Sequence, residues 1–406
     1  MIRHYLKLIW NRKRTNVLIA VEIFFSFLVV FGVLGLATFY ANNYLQPLGF
    51  EYADVWTVSI NTRQDRSPGH DQPTQGLGER KRQLELAARE FPEVVASAFA
   101  FTTPWSHSRW TSDTTVSGRT VDFGVDGVTD RFADVMGIRL LKGRWFGPGD
   151  DGAAWTPVVV NVRLAREFFG DQDPVGRRVP RGKPEPGEKP EDQRVVGVIE
   201  DFRQDGEYGQ LENYMFQRSR LENPDNVEML GELVLKVRPG TTAAFEEKLV
   251  KRLQAAESRW SFDVQPLVEA RAQRHKETLA PLVAAAIVAG FLMLMVAMGL
   301  TGVLWQTVTQ RTREVGVRRA KGATIPNIRV QILGELMVMT SAAILAGAAI
   351  ILQFPLLKVI DFVSPGVYAT SLVVSAACTY LLTLACAWYP SRLATSIPPA
   401  EALRYE

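Results

Sequence analysis

The side chains of this chain that could do chemistry are few and scattered. His4, His70, His107 and His275 stand far apart, so neither an H-E-x-x-H helix nor a Cys/His metal spacing arises. No G-x-x-x-x-G-K-S/T loop is present to cradle a nucleotide phosphate, and no G-x-G-x-x-G follows a strand into a helix. A G-x-S-x-G nucleophile turn is absent as well. His107, among Trp105, Ser106, Arg109 and Trp110, is the one site-like constellation, and a packed loop or a partner-contact surface accounts for it better than a catalytic role. Asp150-Asp151 reads as a solvated turn. Cys378 and Cys386, eight residues apart, share a helix face and read as small packing residues. The chain is expected to be catalytically silent, with no cofactor or metal of its own.

What remains is a charge pattern. Arg311-Thr312-Arg313-Glu314-Val315-Gly316-Val317-Arg318-Arg319-Ala320-Lys321-Gly322 carries five bases between two long runs with almost no charge. Glu314 precedes Arg318 by four residues, an acid-before-base order that stabilises a helix by a few tenths of a kcal/mol. Gly322 is placed to cap that helix, and Thr324 to open another with Pro326 in its first turn. Basic residues in such a loop can serve only to fix topology. A capped helix with five of them exceeds what topology needs.

The elements that present this segment are membrane spans. Four runs reach the ~20 apolar residues a bilayer requires: 17–40, interrupted by Glu22, then 279–310, 336–357 and 362–391. The first is too long for a signal-peptide core and lacks a small-residue cleavage site. Arg3, Lys7, Arg12, Lys13 and Arg14 precede it, and Arg311, Arg313, Arg318, Arg319, Lys321 and Arg329 follow the second run. The positive-inside bias then puts both termini and the 310–335 segment inside, and 42–278 outside. That block has a net charge of −5 against +8 for the rest of the chain, as expected of a polar domain inserted into a basic membrane frame. Residues 2–14 read as a basic amphipathic helix in the interface or as a simple positive anchor. Glu22 within the first span is expected to snorkel or to pair with a nearby Arg. Ala286 with Gly290, Ala342 with Ala346, Ala343 with Gly347, and Gly32 with Gly35 supply the small-residue spacings that let membrane helices approach.

In the outer block a strand at 55–60, a helix at 79–91 and a strand at 94–100 recur in order as a strand at 233–237, a helix at 243–257 and a strand at 261–264. Two βαβ-like halves at opposite ends predict a split α/β sheet, with 105–230 inserted into it. The insertion is expected to hold strands at 120–125, 158–160 and 195–199, a helix at 162–169, and a mobile loop at 181–190. Residues 267–278 read as a helix running into the second span, a stalk that Pro281 is placed to kink. No cysteine lies in the block, so an ordinary core must hold it.

With these residues in view, the 311–324 segment resembles the R-x-R-E-I-G-I-R-K-A-L-G-A signature of the MacB/FtsX-type ABC-transporter permeases. Glu335 matches the acid that opens their third span, and Pro398-Pro399-Ala400-Glu401-Ala402-Leu403-Arg404-Tyr405-Glu406 is similar to their P-x-E-A-L-R-x-E ending. Leu141–Phe146, Asp173–Gly176 and Val195–Phe202 look like the MacB-type periplasmic core domain. Lys321 replaces the usual apolar residue, and Asn161-Val162-Arg163 lacks the Glu often found after the Asn. The ATPase domain fused to MacB itself is not found, which implies a separate nucleotide-binding subunit.

The fold so implied is four transmembrane helices plus an α+β extracytoplasmic domain, a split βαβ sheet with a β-rich insertion. Its parts would be an amphipathic helix (1–16), span one (17–41), the periplasmic domain (42–278), span two with its stalk (279–310), a coupling segment (311–330), span three (331–357), span four (362–391) and a tail (392–406). The resemblance implies a permease in the inner membrane that transmits ATP-driven motion to its periplasmic domains, for export of a drug, peptide or toxin. Arg313, Glu314, Gly316, Arg318, Arg319 and Gly322 would shape the coupling helix docked on the ATPase, and Glu401, Leu403 and Arg404 would support a second contact. The expected partners are ABC ATPase subunits holding ATP and Mg, a second permease copy or paralogue, membrane lipids, and in some assemblies a periplasmic adaptor and outer-membrane channel. No nucleic acid is expected. A lipoprotein-releasing permease and an FtsX-like activator of cell-wall enzymes are the alternatives within the family. A transmembrane sensor would need a cytoplasmic signalling domain, and only a short tail follows Ser391.

Overall fold

The computed structural model describes residues 13–62, 76–180, 192–224, 226–310, 317, 322–357 and 363–394. The segments 2–12 and 181–190, for which an amphipathic helix and a mobile loop are expected, lie outside the described residues. The chain divides into a helical unit, Met1–Asn42 with Thr278–Glu406, and a sheet unit, Asn43–Glu277.

In the sheet unit β1 (Val55–Asn61), α2 (Leu77–Arg89) and β2 (Val94–Ala100) form the first half, and β9 (Glu232–Val237), α5 (Ala244–Ala256) and β10 (Ser261–Pro266) the last. They assemble in the order β10-β1-β9-β2, every pair antiparallel, which is the interleaved pattern expected of a split βαβ sheet. Between them lie β3 (Thr111–Val116), β4 (Arg119–Val128), α3 (Phe132–Met136), β5 (Leu140–Gly143), β6 (Thr156–Asn161), α4 (Val162–Phe169), β7 (Gln193–Ile199) and β8 (Tyr214–Arg218). The inserted strands extend the same sheet, in the order β4-β8-β6-β7-β5, joined to β2 through the single pair Ala100–Val128. β3, β5, β8 and α3 were not anticipated, because β3 is largely polar and the other three run to five residues or fewer.

Side-chain alternation gives this sheet two apolar faces. Val55, Ala98, Ala100 and Val159 point into one core with Phe132, Val135 and Met136 of α3. Their neighbours Trp56, Val58, Phe99 and Phe101 point the other way, under Leu84 and Ala88 of α2 and Phe245, Leu249 and Leu253 of α5. Val158 and Val160 meet Leu164 and Phe168 of α4 on that second side. Asn161 caps α4, its Oδ1 accepting from Leu164 N at 3.0 Å.

The helical unit contains α1 (Lys13–Tyr44), α6 (Leu267–Gln310), α7 (Ile325–Ile351), α8 (Gln353–Leu356) and α9 (Pro365–Ala394), where α1 and α6 continue into the sheet unit. Among the described residues, four stretches are long and apolar enough to cross a membrane: Val17–Tyr44, Leu267–Val303, Ile325–Leu356 and Pro365–Trp388. α6 runs through Pro281 unbroken, and α7 starts at Ile325 because Thr324 is extended and Pro326 fits the first turn. The small residues act as seats. A Cβ on Gly347 would strike the ring of Phe27, which is fully buried, and one on Gly299 would strike the carboxyl of Glu22. Gly290 meets no such neighbour. Ser371, Ser375, Thr379 and Thr383 form a buried stripe along α9, each hydroxyl donating to the carbonyl four residues back. Cys386 is buried beside Ile19, Leu300 and Leu336, and neither cysteine is in a disulfide.

One buried acid makes the sheet unit pH-sensitive. Asp126 on β4 is 1% exposed, and burial pushes its carboxyl up to about 8 despite hydrogen bonds from Thr102 and from the Phe101 and Thr102 amides. A folded pKa above the ordinary 3.8 means that the folded state holds the proton more tightly, so the contribution of Asp126 to stability is full below pH 4 and is lost as pH rises toward 8. Asp126→Asn is expected to remove much of that loss, because its amide can still accept from the two backbone groups and donate to Thr102 Oγ1. Thermal unfolding of the full chain at pH 9 should show the variant more stable than wild type by about 2 kcal/mol, with the difference vanishing near pH 4.

Candidate functional site

Of the coupling residues expected from sequence, Gly322 is described. It has φ +96°, a conformation that favours glycine and suits a helix C-cap, and no described residue stands within 4 Å of where a Cβ would be. Val317 is helical and exposed. Arg313, Glu314, Gly316, Arg318, Arg319, Glu401, Leu403 and Arg404 lie outside the described residues. Glu335 is 8% exposed within α7, where Gln331 Nε2 donates to it at 3.3 Å.

The site-like constellation around His107 comes apart in the structure. Trp105 is a core residue, its ring edge-on to Phe50 and Tyr52, while the His107 side chain is largely exposed with Nε2 3.2 Å from Glu277 Oε2. Arg109 pairs with Asp205 and Glu212. Trp105 and Arg109 share a neighbour, the loop after β7.

That loop, 201–209, gathers the ends of α1 and α6 within the sheet unit. Arg203 is 1% exposed, and its two terminal nitrogens donate to four carbonyls: Asn43 at 2.7 Å, Gln46 at 3.2 Å, Glu207 at 2.8 Å and Gly209 at 2.6 Å. Glu207 is 5% exposed and receives Arg271 Nε, with His275 Nε2 3.1 Å and Trp105 Nε1 3.3 Å away. Burial pushes the Glu207 carboxyl up, but the hydrogen bonds from Arg271 and His275 outweigh it and hold the pKa below the usual value. Arg274 reaches Asp205 at 3.4 Å. The Tyr208 ring lies 5.8 Å from that of Tyr44 on α1 and 5.0 Å from that of His275 on α6. No positional signal pointed to Arg203, because its partner Asn43 is 160 residues away.

A second polar feature is an open groove of about 510 Å³ lined by Arg82, Arg131, Arg218, Arg220, Asp130 and Asp151 among others. Its charges answer one another: Arg218 grips Asp130 and Asp151, Arg220 reaches Asp151, and Arg82 pairs with Glu222. This is a lattice of ion pairs with little charge left for a ligand. Among the described residues, no group of three His, Cys, Asp or Glu is arranged to hold a metal ion. The junction loop ties the end of α1 and the start of α6 together through hydrogen bonds and ion pairs.

Comparison with known proteins gives this architecture a class. Residues 18–252 match the model of the MacB-like periplasmic core domain, and 286–399 that of the FtsX-like permease C-terminal. These two modules define a multi-pass membrane permease with a sheet domain between its first and second helices. The chain belongs to the MacB/FtsX-type permease family. It is 26% identical over 302 residues to the macrolide export ATP-binding/permease protein MacB of Bdellovibrio bacteriovorus, covering 70% of this chain and 44% of that protein. It is 23% identical over 292 residues to the pyoverdine export ATP-binding/permease protein PvdT of Pseudomonas aeruginosa, covering 69% and 42%. The chain thus spans about half the length of the curated relatives it matches. The crystal structure of the periplasmic region of MacB from Actinobacillus actinomycetemcomitans aligns with a TM-score of 0.36 at 15% identity, over 57% of this chain and 96% of that one.

Proposed function

We propose that this chain is the membrane subunit of an ABC transporter and that it transmits ATP-driven movement to its sheet unit. The observation that supports this most is the pair of family matches flanking 253–285, together with the basic 311–322 segment inside the second of them. The ATP and Mg sites are assigned to an ABC ATPase partner, in keeping with the ATP binding in the relatives' names. Both termini and the coupling segment then face the cytoplasm, the sheet unit faces the periplasm, and the helices sit in the inner membrane. Arg313, Glu314, Gly316, Arg318, Arg319 and Gly322 shape the surface that docks on the ATPase, with Glu401, Leu403 and Arg404 at a second contact. A second permease copy completes the unit, and an adaptor and outer-membrane channel are compatible with it. The relatives' names join macrolide or pyoverdine export to ATP binding, so an exported small molecule or peptide is the proposed cargo class.

Purification of the full chain in mild detergent tests this reading. An ABC ATPase should co-purify, and its hydrolysis rate should change when the permease is added back to the isolated subunit. Absence of any associating ATPase under conditions that keep the permease folded would refute it.

A further inference from the structure

We infer that residues 201–209 form one fastening that holds α1 and α6 jointly to the sheet, with Arg203 and Glu207 as its positioning residues. The inference rests on the proposed transmission of movement, because a fastening shared by two membrane-entering helices makes each responsive to the other.

The loop faces two ways. Phe202 enters the main core, its ring 4.8 Å from Tyr214 and 4.9 Å from Phe216. Gln204 Nε2 donates to Thr102 Oγ1 at 3.0 Å and to the Thr103 carbonyl at 2.7 Å, and Tyr214 Oη donates to Gln204 Oε1. These alternate residues bind the sheet. Arg203 and Glu207 turn to the helices.

Their charges suit the helix ends they meet. α1 ends at Tyr44, so carbonyls of its last turn lack intrahelical partners and carry the negative end of the helix dipole. The buried Arg203 guanidinium satisfies Asn43 O and Gln46 O there. α6 begins at Leu267, and Arg271 and His275, one turn apart on one face, converge on the Glu207 carboxylate. A buried guanidinium is a costly way to join two elements, since apolar packing holds as firmly at less desolvation cost. What it adds is direction. Its planar fork fixes the helix end and the loop at defined angles.

One of the three described non-glycine residues with positive φ stands at the same place. Trp105 has φ +63°, a conformation that is costly for an L residue and persists only where surroundings impose it. Its amide donates to Gln204 O at 2.9 Å, and its indole fills the space where a Cβ on Gly206 would stand. Loop and tryptophan thus lock each other.

The test is hydrogen exchange on the full chain in lipid nanodiscs, comparing wild type with Arg203→Met and Glu207→Gln. Arg203 reaches only α1 of the two helices, and Glu207 only α6. If the loop is one fastening, each single variant loosens both places. Amides of 43–48 and of 271–277 should exchange about tenfold faster in either variant, while those of β6 and β7 stay as in wild type. Arg203→Lys, which keeps the charge and three donors, should give an intermediate effect. The inference is overturned if each variant loosens only the helix it touches, if neither segment changes, or if β6 and β7 loosen equally. No nucleotide or ATPase enters the experiment, so its failure would leave the transporter reading standing, and failure of an ATPase to associate would leave the fastening untouched.

Discussion

Exchanging two charges in the coupling segment, Glu314→Arg together with Arg318→Glu, is expected to abolish ATP-driven transport while leaving the protein inserted. The charge count of the segment is unchanged by the swap, so the positive-inside bias that orients the helices is preserved. Helix stability changes little. Reversing an acid-before-base pair at i, i+4 costs a few tenths of a kcal/mol, less than a factor of about three in any equilibrium. A loss of about tenfold or more therefore has to come from the partner surface, where like charges brought face to face cost several kcal/mol. Flotation of membranes would confirm insertion, and ATPase assays with the associated subunit would separate loss of docking from loss of transmission. Activity equal to wild type would remove these residues from the proposed docking surface.

The second large effect is expected at Gly49. It sits where the chain leaves α1 for β1, at φ +81°, and a Cβ there would run into the backbone carbonyl of Asp201 at the start of the fastening loop. Two costs combine in Gly49→Ala: the left-handed backbone, about 1 kcal/mol, and a collision with main chain that no rotamer change can relieve. We expect about 3 kcal/mol or more of lost stability, equivalent to about 6–12 °C in the unfolding of a domain of this size. Gly76→Ala is the control. Gly76 has φ +84° but nothing within 4 Å among the described residues, so the backbone cost is the one expected and the shift should be about 2–4 °C. Equal shifts for the two variants would show that the contact with Asp201 is unimportant.

Much of the architecture is legible in the sequence because its cause is local. β2 and α4 occupy the stretches read for them from sequence, 94–100 and 162–169, and the long apolar runs become long helices. What is illegible depends on partners distant in the chain. β8 is a five-residue strand whose place between β4 and β6 is fixed by Gly124–Tyr214 and Val160–Met215 pairings. Arg203 follows an apolar strand and a phenylalanine and reads as an ordinary loop cation until the carbonyls of 43 and 46 are seen around it. Trp105 and its neighbours read as a packed loop or a partner-contact surface; Trp105 is packed, a core residue of positive φ whose indole stands against Gly206. The segment proposed for coupling shows the reverse case, where the reading rests on a sequence signature and the described geometry adds the φ of Gly322 and the start of α7.

The central claim is that ATP hydrolysed by a partner moves the sheet unit of this chain. Its most direct measurement places one spin label on the sheet unit of each permease copy, at Asp171→Cys, with Cys378 and Cys386 replaced by alanine. The complex with its co-purified ATPase is held in nanodiscs. Pulsed electron resonance then reads the label separation before and after ATP, Mg and vanadate are added to trap the hydrolytic state. A resolved change in separation, lost in the Glu314→Arg, Arg318→Glu variant, is the predicted result. An unchanged distribution while hydrolysis proceeds at its full rate would contradict the account.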